Sequence, residues 1–182
     1  MLVQPVDLVP VPDLGPVHFI AVGGAGMSGI AAMYAQLGVP VSGSDQADSA
    51  TLAELAALGV RTFVGHAADQ LGDASTVVVS SAVRETNPEL AEARRRGLRV
   101  WHRSAALAAL MLGRRGIAVT GTHGKTTTSA MTAVLLAGAG ADPGWVVGSP
   151  LAATGRAWHA GAGEPFVVEA DESDGSFLQY PA

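Results

Sequence analysis

A glycine-rich segment that contains a lysine and several hydroxyl side chains has the residue types of a phosphate-binding loop. Residues 121–128 read Gly-Thr-His-Gly-Lys-Thr-Thr-Thr. In such a loop, backbone N–H groups surround the phosphates, a lysine contacts the β- and γ-oxygens, and a hydroxyl binds Mg²⁺. Val119 stands five residues before Gly124, where the common spacing has a glycine. The strand predicted before this loop and the helix predicted after it nevertheless favour ATP binding.

Acidic residues follow an apolar run near the end of the sequence. Residues 169–174 read Glu-Ala-Asp-Glu-Ser-Asp, directly after the predicted strand Phe166–Glu169. Carboxylates at the carboxyl end of a parallel strand face the same crevice as a phosphate loop. Their hard oxygen atoms suit Mg²⁺. Glu169 is therefore a candidate metal ligand, and a solvated acidic loop without a ligand is the alternative.

A second glycine loop lies nearer the N-terminus. Gly24-x-Gly26-x-x-Gly29 follows the predicted strand Val17–Val22 and precedes a predicted helix. Glycines let the backbone approach a pyrophosphate, whose charge meets free N–H groups at the helix N-terminus. Asp45, at the end of the second predicted strand, is placed to accept hydrogen bonds from ribose hydroxyls. The pattern predicts a dinucleotide or nucleotide-diphosphate site, and a turn needed only for close helix–strand packing is the alternative.

Short β-rich runs alternate with helical stretches, which is typical of βαβ units that build a parallel sheet. We therefore predict an α/β protein with a Rossmann-like parallel sheet in residues 17–103 and a P-loop α/β domain in residues 117–182. Residues 1–16 contain four prolines and are expected to form an irregular lead-in. Residues 104–116 are expected to form a linker region. Because a βαβ unit takes about 30 residues, we expect the second domain to be truncated.

Composition excludes several classes of protein and site. The 182 residues include 11 Lys and Arg against 16 Asp and Glu, a net charge of −5, whereas nucleic-acid binders are normally basic. Cysteine is absent, which rules out disulfides, thiolate zinc sites and cysteine nucleophiles. No apolar run approaches the roughly 18 residues that a membrane helix needs. We expect a cytoplasmic protein without nucleic-acid or membrane partners.

Five segments, in order along residues 17–180, resemble the Mur ligase family. They are 18–31 (His-Phe-Ile-Ala-Val-Gly-Gly-Ala-Gly-Met-Ser-Gly-Ile-Ala), 42–45 (Ser-Gly-Ser-Asp), 80–89 (Ser-Ser-Ala-Val, then Asn-Pro-Glu), 121–128 and 169–178 (Glu-Ala-Asp-Glu-Ser-Asp-Gly-Ser-Phe-Leu). The family has a UDP-substrate domain, a central ATPase domain and a C-terminal domain. This sequence is similar to the first domain and to the opening of the second.

The resemblance implies ATP-dependent amide formation in peptidoglycan precursor synthesis. The carboxylate of UDP-N-acetylmuramate would become an acyl phosphate, which the amine of L-alanine attacks. Within the family, the Gly-Gly-Ala-Gly-Met-Ser-Gly and Glu-Ser-Asp variants favour L-alanine addition over the recycling of murein peptides. An NAD-dependent oxidoreductase explains the first glycine loop equally well but leaves residues 121–128 unexplained. We expect this chain to bind the UDP-substrate without being catalytically competent alone.

The resemblance also implies roles for individual residues. Lys125 and His123 would be catalytic, although packing of the loop is an equal alternative for His123. ATP would be bound by Gly121, Thr122, Gly124, Lys125, Thr126 and Thr127, and Mg²⁺ by Thr126 and Glu169. The UDP-substrate would contact Gly24, Ala25, Gly26, Met27, Ser28, Gly29, Asp45, His66, Ser80 and Ser81. For His66, a surface position with no ligand is an equal alternative.

Overall fold

The computed structural model describes residues 4–170 and 175–181 and divides into two compact units. The first domain is Val9–Ala106, and the second domain is Leu107–Ala182 together with Met1–Leu8. These bounds differ from the predicted ones. Residues from Val9 onward belong to the first domain and are not part of a separate lead-in. The expected linker region is regular structure, because a helix and then a strand cover most of it.

Five parallel strands form the sheet of the first domain. They are β1 (Val17–Ile20), β2 (Val41–Asp45), β3 (Arg61–Val64), β4 (Thr76–Val79) and β5 (Arg99–His102). Their order is β3-β2-β1-β4-β5, and every pair is parallel. The order reverses between β1 and β4, which opens a crevice at the carboxyl ends of these strands. The predicted α/β fold with a Rossmann-like sheet is confirmed.

Three α-helices and one short 3₁₀ helix (Ala68–Leu71) connect these strands, and local residues determine where each α-helix begins. Helix α1 (Ala25–Gln36) begins inside the glycine loop, because extended Gly24 caps it. Helix α2 (Ala50–Ala57) begins after Ser49, whose hydroxyl accepts the N–H of Leu52 at 3.3 Å. Helix α3 (Pro88–Arg95) begins after Asn87, whose side chain accepts two backbone N–H groups of its first turn. The glycine loop is thus itself the N-terminus of a helix.

In its described residues, the second domain contains the second half of one α-helix, a complete α-helix and a four-stranded sheet. After α4 (Arg103–Met111) come β6 (Arg115–Val119), α5 (Lys125–Gly138), β7 (Gly144–Val146), β8 (Trp158–His159) and β9 (Pro165–Glu169). The order is β6-β9-β7-β8, in which only β8 pairs antiparallel. The sequence did not predict β7 or β8, because runs of three and two residues carry no recognisable alternation.

Buried apolar side chains fix the helices against each sheet. In the first domain, Ile20, Leu71, Val77, Leu90 and Ala93 pack α3 against the strands. In the second domain, Ala133, Trp145, Val147, Leu151 and Val167 pack α5 against the strands. This packing holds the carboxyl ends of the strands, and the loops that follow them, in fixed positions. Among the described residues, no helix is long and apolar enough to cross a membrane.

Candidate nucleotide and phosphate sites

A cleft lies at the carboxyl edge of the first sheet, where the strand order reverses. It consists of two adjoining cavities of about 350 Å³ and about 700 Å³ that share Ala21, Asp45 and Ala82. The smaller cavity is lined by Ala21, Gly24, Gly26, Met27, Asp45, Ser80, Ala82 and Arg103. The larger one is lined by Ala21, Asp45, Gln46, Gly65, His66, Ala82, Val83, Arg84, Thr86, Asn87 and Pro88. A crevice at this position is where open α/β sheets bind their ligands.

The glycine loop forms one wall of the smaller cavity. Ala21 turns the chain with a positive φ of 62°, and Gly24 then caps α1. Oδ2 of Asp45 accepts the backbone N–H of Gly23 at 2.9 Å, which holds this carboxylate beside the loop. The first N–H groups of a helix have no partner within the helix and lie at the positive end of its dipole. This wall therefore favours a negatively charged group.

Arg103 adds a positive charge to the same wall, and the sequence analysis missed it. A Cβ on Gly26 would lie 3.2 Å from Nη1 of Arg103, so the guanidinium contacts the glycine loop directly. Within residues 4–170 and 175–181, no carboxylate pairs with Arg103. Its position in the sequence, immediately after β5, could have indicated this role, because β5 ends at the same sheet edge as the glycine loop.

A buried carboxylate network lies behind the larger cavity. Glu89 is fully buried, and its Oε2 accepts hydrogen bonds from Oγ of Ser44 at 2.6 Å and Nδ1 of His66 at 2.8 Å. Its Oε1 accepts from Nε2 of His18 at 3.1 Å. Burial by itself would raise the pKa of Glu89, but the hydrogen bonds from His18 and Ser44 outweigh it and hold the pKa below its ordinary value.

We expect this network to make the folded chain sensitive to acid. Because the pKa of Glu89 is lowered on folding, its contribution to stability is present above its ordinary pKa of 4.5 and is lost as pH falls through the lower folded value. Urea titrations at stepped pH should show the free energy of unfolding falling below about pH 4.5, and falling less in Glu89→Gln. Glu92, whose pKa its arginine partners lower to about 2, acts in the same direction, so Glu92→Gln is measured alongside to separate its share of the pH dependence from that of Glu89. Equal pH slopes in wild type and Glu89→Gln would contradict this expectation.

The predicted UDP-substrate residues do not all face the cleft in the same way. Gly24, Gly26, Met27, Asp45 and Ser80 line the smaller cavity, and His66 lines the larger one. Ala25 is the exposed first residue of α1. Ser28 and Gly29 lie further along that helix, and Gly29 is buried. The exposed Ser81 hydroxyl lies 3.1 Å from Nε2 of His102 and lines neither cavity.

In the second domain, three adjacent strands end at a second cluster of polar groups. Glu169 ends the central strand β9, the loop 120–124 follows β6, and Gly148 follows β7. Oγ1 of Thr126 donates to Oε2 of Glu169 at 3.1 Å, and the N–H of Gly148 donates to Oε1 at 2.5 Å. A Cβ on Gly148 would lie 3.0 Å from both Glu169 and Thr126, so this close approach needs glycine.

The lysine of this cluster is held at the N-terminus of α5. Nζ of Lys125 donates to the carbonyl oxygen of Gly121 at 2.7 Å. Gly124 caps the helix with a positive φ of 78°, a conformation that favours glycine. His123, Thr122 and Thr127 are exposed. The predicted acidic cluster beyond Glu169, at residues 171–174, lies outside the described residues.

The donor set of this cluster fits Mg²⁺ bound together with phosphates. The Thr126 hydroxyl and the Glu169 carboxylate already contact each other and are hard oxygen ligands. Within the described part of the chain, no three His, Cys, Asp or Glu side chains group closely enough to hold a metal ion alone. Mg²⁺ usually keeps several water ligands and takes one or two protein oxygens plus phosphate oxygens.

Comparison with known proteins gives the family. Residues 16–115 match the family model described as Mur ligase family, catalytic domain. The chain belongs to the Mur ligase family. It is 66% identical over 179 residues to the UDP-N-acetylmuramate–L-alanine ligase of Cutibacterium acnes and 62% identical over 177 residues to that of Thermobifida fusca. These alignments cover 98% and 97% of this chain but only 38% of each relative, so the chain spans well under half of their length.

Solved structures show the same likeness. The UDP-N-acetylmuramate–alanine ligase of Thermotoga maritima superposes with a TM-score of 0.83 at 34% identity, over 91% of this chain and 39% of that one. A murein peptide ligase from Psychrobacter arcticus superposes with a TM-score of 0.81 at 30% identity, over 88% of this chain and 38% of that one. Both kinds of Mur ligase therefore share this fold. The relatives that are 53 to 66% identical in sequence are named as UDP-N-acetylmuramate–L-alanine ligases.

Proposed function

We propose that this chain is the UDP-substrate-binding part, and the start of the ATP-binding part, of an enzyme that joins L-alanine to UDP-N-acetylmuramate. In the complete enzyme, the muramoyl carboxylate would be activated with ATP as an acyl phosphate, and the amine of L-alanine would then form the amide. ATP and nucleotide-activated sugars are cytoplasmic metabolites, so the proposed reaction belongs in the cytoplasm. The Thr126–Glu169 contact beside Lys125 carries the proposal, because a dehydrogenase has no use for a second phosphate site.

In the first domain, the proposed ligand is the UDP moiety. The N-terminus of α1 and the Arg103 guanidinium would bind the diphosphate, because both present positive charge to the smaller cavity. Asp45 keeps Oδ1 available for a ribose hydroxyl while its Oδ2 accepts the N–H of Gly23. His66 would contact the nucleoside from the larger cavity.

In the second domain, the proposed ligand is the triphosphate of ATP. Lys125 would move from the carbonyl of Gly121 to the β- and γ-phosphates, where its charge stabilises the group that is transferred. Thr126 and Glu169 would hold Mg²⁺, which shields the negative charge of the phosphates. Thr122, Thr127 and the N–H groups of loop 121–124 would line the phosphate path, and exposed His123 lies on the same loop.

Calorimetric titration of the 182-residue chain tests the first half of this proposal. UDP-N-acetylmuramate should give saturable binding, because residues of the first domain line both cavities of the cleft. NADH under the same conditions should give none. Binding of NADH alone would contradict the proposal and would favour an oxidoreductase.

A further inference from the structure

The Glu89 network connects the nucleotide cleft to the interior of the first domain. Glu89 and His18 are fully buried, whereas the His66 side chain is 21% exposed and lines the larger cavity. His66 is therefore the member of this network that a ligand in the cleft can reach. Its Nδ1 lies 2.8 Å from Oε2 of Glu89 and 2.9 Å from Oγ of Ser44.

These contacts determine which nitrogen of His66 carries hydrogen. An ionised carboxylate only accepts hydrogen bonds, and the lowered pKa of Glu89 keeps it ionised near neutral pH. Ser44 donates its single hydroxyl hydrogen to Glu89 at 2.6 Å, so toward His66 its oxygen can only accept. Both neighbours of Nδ1 therefore need a hydrogen on that nitrogen.

The other ring nitrogen is left for a ligand. Within the described residues, Nε2 of His66 makes no hydrogen bond to the protein. In a neutral imidazole that carries hydrogen on Nδ1, Nε2 is an acceptor. A hydrogen-bond partner at one ring nitrogen of a histidine determines whether the other nitrogen carries hydrogen. Carboxylates act in this way on histidines that bind metals.

We propose that Glu89 is a positioning residue that holds His66 in its Nδ1–H form, so that Nε2 accepts a hydrogen bond from an N–H or O–H of the bound nucleoside. The inference rests on the proposed function, which assigns the cleft to a UDP-substrate. A neutral acceptor suits the nucleoside and not the diphosphate, whose oxygens are themselves acceptors. The positive groups that suit the diphosphate, Arg103 and the N-terminus of α1, line the adjoining cavity.

The histidine state is measured first, on the ligand-free chain. Nitrogen-15 NMR of the side chain, assigned with His66→Gln, should show hydrogen on Nδ1 and an unprotonated Nε2 near pH 8. Glu89→Gln should shift His66 toward the Nε2–H form, whereas Glu92→Gln, which removes a carboxylate of the same helix that pairs with Arg95 and Arg96, should leave it unchanged. Hydrogen on Nε2 in the wild-type chain would overturn the proposal without any need for a variant to fold.

Ligand binding is measured second, with UDP, 3-methyl-UDP, 2′-deoxy-UDP and 3′-deoxy-UDP as probes. Glu89→Gln should weaken UDP binding about tenfold, the value of one neutral hydrogen bond. The penalty should disappear for the probe that lacks the hydrogen donated to His66, which identifies the base N–H or the ribose hydroxyl as the donor. An equal penalty with all four probes, or none with UDP, would overturn the proposal. If the wild-type chain binds no UDP although His66 is in the Nδ1–H form, the proposed function fails, and with it the ligand half of this inference.

Discussion

Replacing Lys125 with alanine is expected to lower amide formation about 10³-fold in an enzyme that carries this chain at the full length of its relatives, the upper part of the range for loss of one preorganised charge-stabilising group. Lys125 is the only lysine in the sequence. Its Nζ lies at the N-terminus of α5, 2.7 Å from the carbonyl of Gly121. Once this charge is removed, no other lysine of the chain can take its place beside the phosphates.

Affinity for the UDP-substrate should survive this change, because the cleft proposed for UDP is lined by first-domain residues. ADP release in a coupled assay measures turnover, and calorimetry measures the dissociation constant for UDP-N-acetylmuramate. Arg156→Ala is the matched control, since it removes an exposed cation that lies over Trp158 in the same domain. Parallel loss of turnover and UDP-substrate affinity would contradict the proposed division between the two domains.

Replacing Arg103 with alanine is expected to weaken UDP-substrate binding by about 10- to 100-fold, the range for a hydrogen bond to a charged group. The guanidinium contacts Gly26 and has no carboxylate partner in the described structure, so a diphosphate is its natural counter-charge. Uridine lacks phosphate, and its affinity should not change. Arg103→Lys should recover part of the loss, because it restores the charge but not the paired donors.

Calorimetry with UDP and NMR titration with uridine distinguish the two effects. Arg95→Ala is the matched control, because Arg95 pairs with Glu92 on the exposed face of α3 and carries the same charge. A similar loss in Arg95→Ala would mean that overall charge, and not a local contact, governs binding. An equal loss for uridine would show that Arg103 supports the fold of the cleft.

Much of the fold and part of each site could be predicted from local sequence. Apolar runs followed by glycines identified the strands that lead into both phosphate loops, because buried parallel strands consist of continuous hydrophobic residues. The rule that parallel strands end at one sheet edge also predicted that Glu169 and the 121–128 loop would lie together. In the structure Glu169 lies 3.1 Å from Thr126. Their roles in metal and ATP binding stay predictions.

The remaining features depend on tertiary packing that no local pattern shows. Glu89 lies in the first turn of α3, where an exposed acidic residue commonly stabilises the helix through its dipole. In the structure, however, residues of β1, β2 and the loop after β3 surround Glu89 and bury it. Arg103 directly precedes the stretch predicted as a linker, and the Ala- and Leu-rich sequence of that stretch does not show where a domain ends. The division at Ala106 falls inside the continuous helix α4, so no Pro or Gly marks it.

The topology of the first sheet also has a consequence for how the domain folds. Val17 of the central strand pairs with Val41 on one side and with Thr76 on the other, and no strand pairs with a neighbour through a hairpin. Each pairing must therefore close a long stretch of chain before any of its hydrogen bonds form, which makes the search slow. Before β4 pairs with β1, the apolar side chains of β1 are exposed and can associate with other unfolded chains. The yield of refolded protein should thus depend on protein concentration.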